Sequence, residues 1–181
     1  MSREYDFTLA LTGVTELTPH VVDRLYEAGL DDATLALRYG RAYATFSREA
    51  ASMKEAVLSA IADVRDAGVG ANVLRVDECN LVTQAEIARR SGRSRQMIHQ
   101  YINGKRGPGG FPPPVCDLCE GSPLWAWCEV ASWLFENNLV KEELFRDAEE
   151  IDAINLALEL GQIREKNPAL AEEILKSVGA G

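Results

Sequence analysis

The side chains best suited to recognise another molecule lie close together in the middle of the chain. They fall on one face of a short helical pattern and comprise Arg95, Gln96, His99, Gln100 and Asn103. The apolar residues of the same pattern form the opposite face and comprise Met97, Ile98, Tyr101 and Ile102. Arginine can bind a guanine edge with two hydrogen bonds, and glutamine or asparagine can bind an adenine edge in the same way. The pattern therefore predicts a helix that reads bases in the major groove of double-stranded DNA.

Positive charge is concentrated around this segment. Residues 80–115 contain six basic residues against Glu86 alone, a local net charge of +5 in a chain whose net charge is −9. A basic region in an acidic protein is typical of a polyanion site, although a solvated pair of charged helices would also account for it. We assign the surrounding basic, hydroxyl and glycine residues to contacts with the DNA backbone: Thr83, Arg89, Arg90, Arg93, Ser94, Lys105, Arg106, Gly107, Gly109 and Gly110.

Capping and stop signals predict two short helices that carry these residues. Thr-Gln-Ala-Glu at 83–86 is a capping box, and Gly92 ends the first helix. Ser94 caps a second helix over residues 95–103, which Gly104 ends. Two short helices joined by a tight glycine-containing turn predict a helix-turn-helix. A helical hairpin of some other fold, with a merely hydrophilic face, is the alternative.

Residues 81–134 resemble the winged helix-turn-helix proteins of the MerR, AlpA and excisionase type. The resemblance rests on Thr-Gln-Ala-Glu-Ile-Ala at 83–88, Gly-Arg-Ser at 92–94, Ile98, Phe-Pro at 111–112, Pro-Val at 114–115, Leu-Trp at 124–125 and Val130 with Trp133-Leu134. It covers about a third of the chain and implies DNA binding. It also implies a two-stranded wing, with strands at residues 111–116 and 123–127, although the acidic wing tip disfavours contact with DNA there.

Cysteines near the expected wing raise the question of a metal site. Cys116 and Cys119 form half of a zinc-binding motif, and Cys128 or His99 could join them. A second pair at ligand spacing is missing from the sequence, so a hairpin tip without metal and a protein without a cofactor are expected.

Residues 1–78 predict a separate α+β domain. Strands are expected over residues 5–12, 35–39, 41–47 and 71–76, with helices starting after Thr18 and Ser52. The order β-α-β-β-α-β is that of a ferredoxin-like domain. This fold hosts many functions, so ligand sensing and subunit contact are both open.

The remaining residues, 139–181, predict an acidic helical tail after a winged helix-turn-helix at 79–138. Leu144, Ile151 and Leu158 recur every seven residues, with Ala148 and Ile154 between them. The stripe either packs on the chain itself or forms a homodimer.

Several classes of function are disfavoured by what the sequence lacks. It contains neither a long uncharged apolar segment nor an export signal, so we expect a cytoplasmic protein with reduced cysteines and without a membrane partner. Catalytic triads, metal quartets and paired carboxylates in a known motif are missing too, so an enzyme is not expected.

The sequence as a whole predicts a bacterial-type, sequence-specific DNA-binding protein, a transcriptional regulator that acts as a homodimer. Two alternatives are an excisionase-like architectural factor and a DNA-binding antitoxin that also binds a protein partner. A third is a sensor whose N-terminal domain holds a small ligand.

Overall fold

The computed structural model describes residues 2–118 and 122–179, which form a mixed α+β protein. The elements are, in chain order, β1 (Arg3–Thr12), α1 (Pro19–Leu25), β2 (Ala33–Arg38), β3 (Arg41–Ala50), α2 (Met53–Asp66), β4 (Asn72–Val76), β5 (Leu81–Val82), α3 (Gln84–Arg90), α4 (Arg95–Ile102), β6 (Cys116–Leu118), β7 (Ser122–Ala126), α5 (Trp127–Glu136), α6 (Glu142–Lys166) and α7 (Pro168–Ser177). The described helices include none that is both long and apolar enough to cross a membrane.

Two compact units divide the chain. The first comprises the residues up to Glu78 together with those from Ala153 onward, and the second is Cys79–Asp152. The N-terminal part of the first unit ends at Glu78, and the second unit begins at Cys79. The expected tail, 139–181, is not a unit of its own, because α6 is one continuous helix that contributes residues to both units.

The first unit contains a four-stranded antiparallel sheet with the order β2-β3-β1-β4. Successive side chains of β1 alternate between the two faces of this sheet, and Phe7, Leu9 and Leu11 are buried on one of them. Phe7 stacks on Phe46 of β3 at 4.9 Å between ring centroids. Tyr39 and Gly40 form the two-residue turn between β2 and β3, with φ of 52° and 76°. Positive φ at both positions is what a tight hairpin turn of this kind requires.

Arg48 carries the main buried charge of the first unit. Its guanidinium donates two hydrogen bonds to Asp32 (2.7 and 2.9 Å) and one to Asp63 (2.7 Å). It also donates to the Ser59 hydroxyl at 3.0 Å and to the Gly29 carbonyl at 2.7 Å. Hydrogen bonds to Asp32 raise the pKa of Arg48 and outweigh its burial. The group therefore stays ionised and ties β3 to α2 and to the turn before β2.

The second half of α6 covers the free edge of β4. Asn155 accepts a hydrogen bond from the Val76 N–H (2.8 Å) and donates to the Val76 carbonyl (3.2 Å), much as a neighbouring strand would. Gln162 donates to the Leu74 carbonyl at 2.6 Å. The C-terminal segment is thus part of the sheet's packing.

The seven-residue stripe of α6 is covered by the chain itself. Ala148, Ile151 and Ile154 are buried, and Leu144 and Leu158 are half-buried. Of the two alternatives for this stripe, the structure gives packing on the protein's own body, so the buried side chains of Ala148, Ile151 and Ile154 are not available for a dimer contact.

The second unit packs α3, α4, α5 and the start of α6 around one apolar core with a three-stranded sheet of order β5-β7-β6. The expected strands 111–116 and 123–127 are displaced: β6 is Cys116–Leu118, and β7 is Ser122–Ala126 because Trp127 starts α5. Residues 111–114 are not a strand, since three consecutive prolines at 112–114 supply no N–H groups for pairing. Residues 119–121 at the expected tip lie outside the described residues.

Candidate nucleic-acid interface

Helices α3 and α4 are joined by a turn whose backbone hydrogen bonds fix its shape. The N–H of Gly92 donates to the Arg89 carbonyl (3.3 Å), and the N–H of Arg93 donates to the Ala88 carbonyl (2.9 Å). This is the Schellman arrangement, and Gly92 adopts the positive φ of 65° that it needs. The Gln84 amide also donates to the Arg95 carbonyl at 3.0 Å, which links the starts of the two helices. The predicted helices are present and end within two residues of their predicted bounds.

One face of α4 is buried in the second unit, as its apolar stripe predicts. Ile98 and Tyr101 are buried, with Met97 and Ile102 packed against the same core. The Tyr101 ring lies 5.4 Å from the ring of Trp133, centroid to centroid. Because these residues hold the inner face, the polar residues of α4 are directed away from the core.

The five proposed base-reading residues share this outer face. Arg95, Gln96, His99 and Asn103 are exposed and Gln100 is half-buried. Within the described part of the chain, the side chains of Arg95, Gln96 and Gln100 have neither a hydrogen bond nor an ion pair. Asn103 differs, since its amide donates to the His99 carbonyl at 2.7 Å and lies 3.3 Å from a ring nitrogen of His99. Asn103 must leave this helix-ending position before it can contact a base.

Both hydroxyl residues assigned to the DNA backbone are helix caps. The Thr83 hydroxyl accepts from the Glu86 N–H at 3.2 Å, and the Ser94 hydroxyl accepts from the Met97 N–H at 3.2 Å. Both residues are exposed, and each hydroxyl keeps its own hydrogen to donate.

Arg89 and Arg90 bind Glu86 rather than projecting alone. Arg89 lies 2.6 Å and Arg90 3.0 Å from the same carboxylate oxygen. The Glu86 carboxylate thus binds two arginines instead of completing the predicted capping box. Hydrogen bonding from Arg89, aided by Arg90, lowers the pKa of Glu86 to about 2.

The two arginines differ in their exposure. The Arg90 side chain is only 9% exposed and its guanidinium lies over the Trp127 ring, whereas the Arg89 side chain is 70% exposed. The assignment of Arg90 to a phosphate is therefore corrected: the burial of α5 against α3 makes it a packing residue.

The assignment of Arg93 to the DNA backbone is also corrected. Its guanidinium is directed inward, where it donates to the Leu139 carbonyl, and it lies 3.4 Å from the Met97 sulfur and 3.5 Å from the Tyr101 hydroxyl. Arg93 thus ties the turn to the segment after α5. The sequence does not reveal this, because Leu139 lies 46 residues further along the chain.

The loop after α4 presents the remaining cations. Lys105 and Arg106 are exposed, and their side chains have neither a hydrogen bond nor an ion pair within the described ranges. Gly107, Gly109 and Gly110 all have positive φ, and in the described residues none of their N–H groups donates to the backbone. The Gly109 carbonyl accepts from the Trp133 indole at 3.0 Å, which anchors the loop beside α4. Exposed cations and N–H groups without a backbone acceptor are groups that can bind an anion.

The structure describes only some of the candidate zinc ligands. Cys119 lies outside the described residues, while Cys116 and Cys128 are free thiols. Burial raises the pKa of the Cys128 thiol, whose sulfur lies 3.7 Å from Asp152, and this disfavours the thiolate that a metal needs. In the part of the chain that the structure describes, metal-binding residues nowhere form a group of three.

Comparisons of the chain with protein-family models, with curated proteins and with solved structures gave no match.

Proposed function

We propose that this protein binds double-stranded DNA sequence-specifically and regulates transcription, with α3 and α4 acting as a helix-turn-helix and β6–β7 as its wing. The observation that carries the proposal is the outer face of α4, where the side chains of Arg95, Gln96 and Gln100 have no partner among the residues that the structure describes. Unpaired donors and acceptors on a helix held by its apolar side are suited to base edges in the major groove.

In this proposal base reading is assigned to Arg95, Gln96, His99 and Gln100, and to Asn103 once its amide is released. The DNA backbone is assigned to Lys105, Arg106, exposed Arg89, the Thr83 and Ser94 hydroxyls, and the glycine amides at 107, 109 and 110. Each cation that neutralises a phosphate makes the negative slope of log affinity against log salt steeper by about one.

The test begins with selection of bound duplexes from a randomised DNA pool by the full chain. Fluorescence anisotropy then compares the selected duplex with a scrambled one. Gln100→Ala is expected to lower the preference for the selected duplex by about tenfold, since a bidentate base contact is worth ~1–3 kcal/mol. Lys105→Gln is expected to weaken both duplexes equally and to reduce the salt slope.

The matched control is Arg38→Gln, which removes an exposed cation from β2 in the other unit. This variant is expected to bind like the parent chain. The proposal fails if the parent binds no duplex at low salt, or if Arg38→Gln weakens binding as much as Lys105→Gln does.

The first unit is proposed to be a ferredoxin-like domain, which its strand order β2-β3-β1-β4 and its β-α-β-β-α-β succession support.

A homodimer is also proposed, because one small module offers few base contacts and two would double them on a near-palindromic site. Its contact is assigned to side chains that stay exposed on α6, on α7 and at the residue that follows α7: Leu156, Ile163, Leu170, Ile174 and Val178. Sedimentation of Ile163→Asp against the parent tests this, with a monomer expected for the variant.

An excisionase-like factor or an antitoxin would use the same face of α4. Genome-wide mapping of bound sites separates these alternatives from a regulator. Binding at promoters is expected here, whereas binding confined to a recombination attachment site, or to the promoter of its own gene beside a toxin gene, would favour one of the others.

A further inference from the structure

A groove in the first unit has the features of a small-molecule site. It has a volume of about 450 Å³ and lies between α2, the start of β4 and the second half of α6. Its apolar lining includes Val64, Ala71 and Val73, all buried, together with Ile61 and Leu158. Pockets of roughly 300–1,000 Å³ with an apolar lining and a few polar groups are the usual sites for small ligands.

Two opposite charges line this groove without neutralising each other. Arg65 comes from α2 and Glu165 from α6. Neither side chain has a hydrogen bond or ion pair within the residues that the structure describes. Gln162 adds a fixed polar group, since its amide nitrogen donates to the Leu74 carbonyl at 2.6 Å and its amide oxygen remains able to accept.

The glycine at position 161 is a further indication that the groove binds a ligand. It lies inside α6, where glycine costs about 1 kcal/mol relative to alanine. A Cβ there would meet nothing within 4 Å, so the described chain gives no steric reason for glycine. Its missing side chain enlarges the groove, which lets a ligand approach the helix backbone closely.

We propose that this groove binds a small zwitterion with an apolar side chain, of the class of the apolar α-amino acids. The ligand carboxylate pairs with Arg65, and the ammonium group pairs with Glu165 and the Gln162 oxygen. The apolar side chain covers Val64, Val73 and Leu158. This proposal does not rest on the proposed DNA binding, because every lining residue belongs to the first unit.

Isothermal titration of the full chain with the apolar L-amino acids from alanine to phenylalanine tests the proposal. At least one is expected to bind saturably with a dissociation constant below about 1 mM, some 4 kcal/mol of binding free energy. The ligand's two truncated analogues, one without the amino group and one without the carboxylate, are expected to bind at least tenfold more weakly. For leucine these are 4-methylpentanoate and 3-methylbutylamine.

Variants then locate the site. Arg65→Gln and Glu165→Gln are each expected to weaken binding at least tenfold, and Gly161→Leu to abolish it while leaving the thermal unfolding transition intact. Asp66→Asn and Glu159→Gln remove nearby charges that do not line the groove, and they are expected to bind like the parent. Absence of saturable binding across the panel overturns the proposal. Equal binding of the truncated analogues, or unchanged binding by both charge variants, overturns it as well.

Discussion

At the scale of single residues, half of the basic residues in the segment 80–115 bind partners within the second unit. Glu86 holds Arg89 and Arg90, and Arg93 holds the Leu139 carbonyl. Residue type predicts that such a side chain is charged, but not which partner it meets, because the partners are brought together by packing of distant segments. The basic residues that have no partner in the described part of the chain, among them Arg95 and Lys105, define the candidate interface more narrowly than the count of basic residues does.

The Glu86 carboxylate predicts a specific dependence of stability on pH. Its pKa in the folded chain is about 2, below its ordinary value near 4.5. Its stabilising effect is therefore complete above about pH 4.5 and is lost as the pH falls toward 2. Glu86→Gln is expected to lower the free energy of unfolding at pH 7, and the difference from the parent is expected to narrow below pH 4.5 and to vanish near pH 2.

Urea unfolding at a series of pH values checks this, with Glu129→Gln on the exposed side of α5 as the control. A difference between the Glu86 variant and the parent that stays constant from pH 7 to pH 2 would contradict the prediction.

Arg48 predicts a large stability effect in the first unit. Arg48→Met would leave the carboxylates of Asp32 and Asp63 without their shared counter-ion and would remove five hydrogen bonds. Breaking a buried ion pair from one side costs about 3–5 kcal/mol. Since both carboxylates are partly exposed, we expect a loss of unfolding free energy at the lower end of this range, about 3 kcal/mol. Chemical unfolding of Arg48→Met beside Arg38→Met, an exposed arginine on β2, measures it, and equal losses would refute it.

At the scale of elements, helices were more predictable than the hairpin. Thr83, Ser94 and Gly92 act within one turn of their own helix, so capping and stop signals predict α3 and α4 nearly to the residue. The hairpin depends on pairing between segments, and the expected strand over residues 111–116 overlooks that prolines cannot donate. Capping residues predict helix ends because their contacts lie within one turn, whereas the pairing of distant strands is visible only in the structure.

Alanine substitution of two glycines in the loop after α4 distinguishes the stability cost of a steric clash from that of backbone strain. A Cβ on Gly107 would lie 2.9 Å from the Tyr101 ring, whereas one on Gly110 would meet nothing within 4 Å. Both residues have positive φ, so each alanine substitution costs about 1–2 kcal/mol in backbone conformation. Gly107→Ala is expected to cost a further 1–3 kcal/mol or so through overpacking. Urea unfolding of the two variants measures the gap, and equal costs would show that the ring moves aside freely.

At the scale of the whole molecule, the C-terminal segment belongs structurally to the N-terminal part of the chain. Its composition and seven-residue repeat predict a separate helical tail, but Asn155 and Gln162 hold the edge of β4. A repeat predicts that a helix has an apolar side without specifying what covers it. The partner here lies 79 residues earlier in sequence, which no local pattern encodes.

Asn155 tests whether this edge contact stabilises the first unit. Asn155→Leu removes the acceptor of the Val76 N–H and the donor to the Val76 and Glu78 carbonyls, and it is expected to cost about 3 kcal/mol because buried polar groups lose their partners. Asn155→Asp keeps an acceptor but turns a carboxylate toward two carbonyl oxygens, so a comparable loss is expected at pH 7. Hydrogen exchange of the Val76 amide should accelerate in Asn155→Leu and stay unchanged in Glu159→Ala, an exposed α6 control. Unaltered protection of the Val76 amide in Asn155→Leu would mean that the strand edge is secured by other contacts.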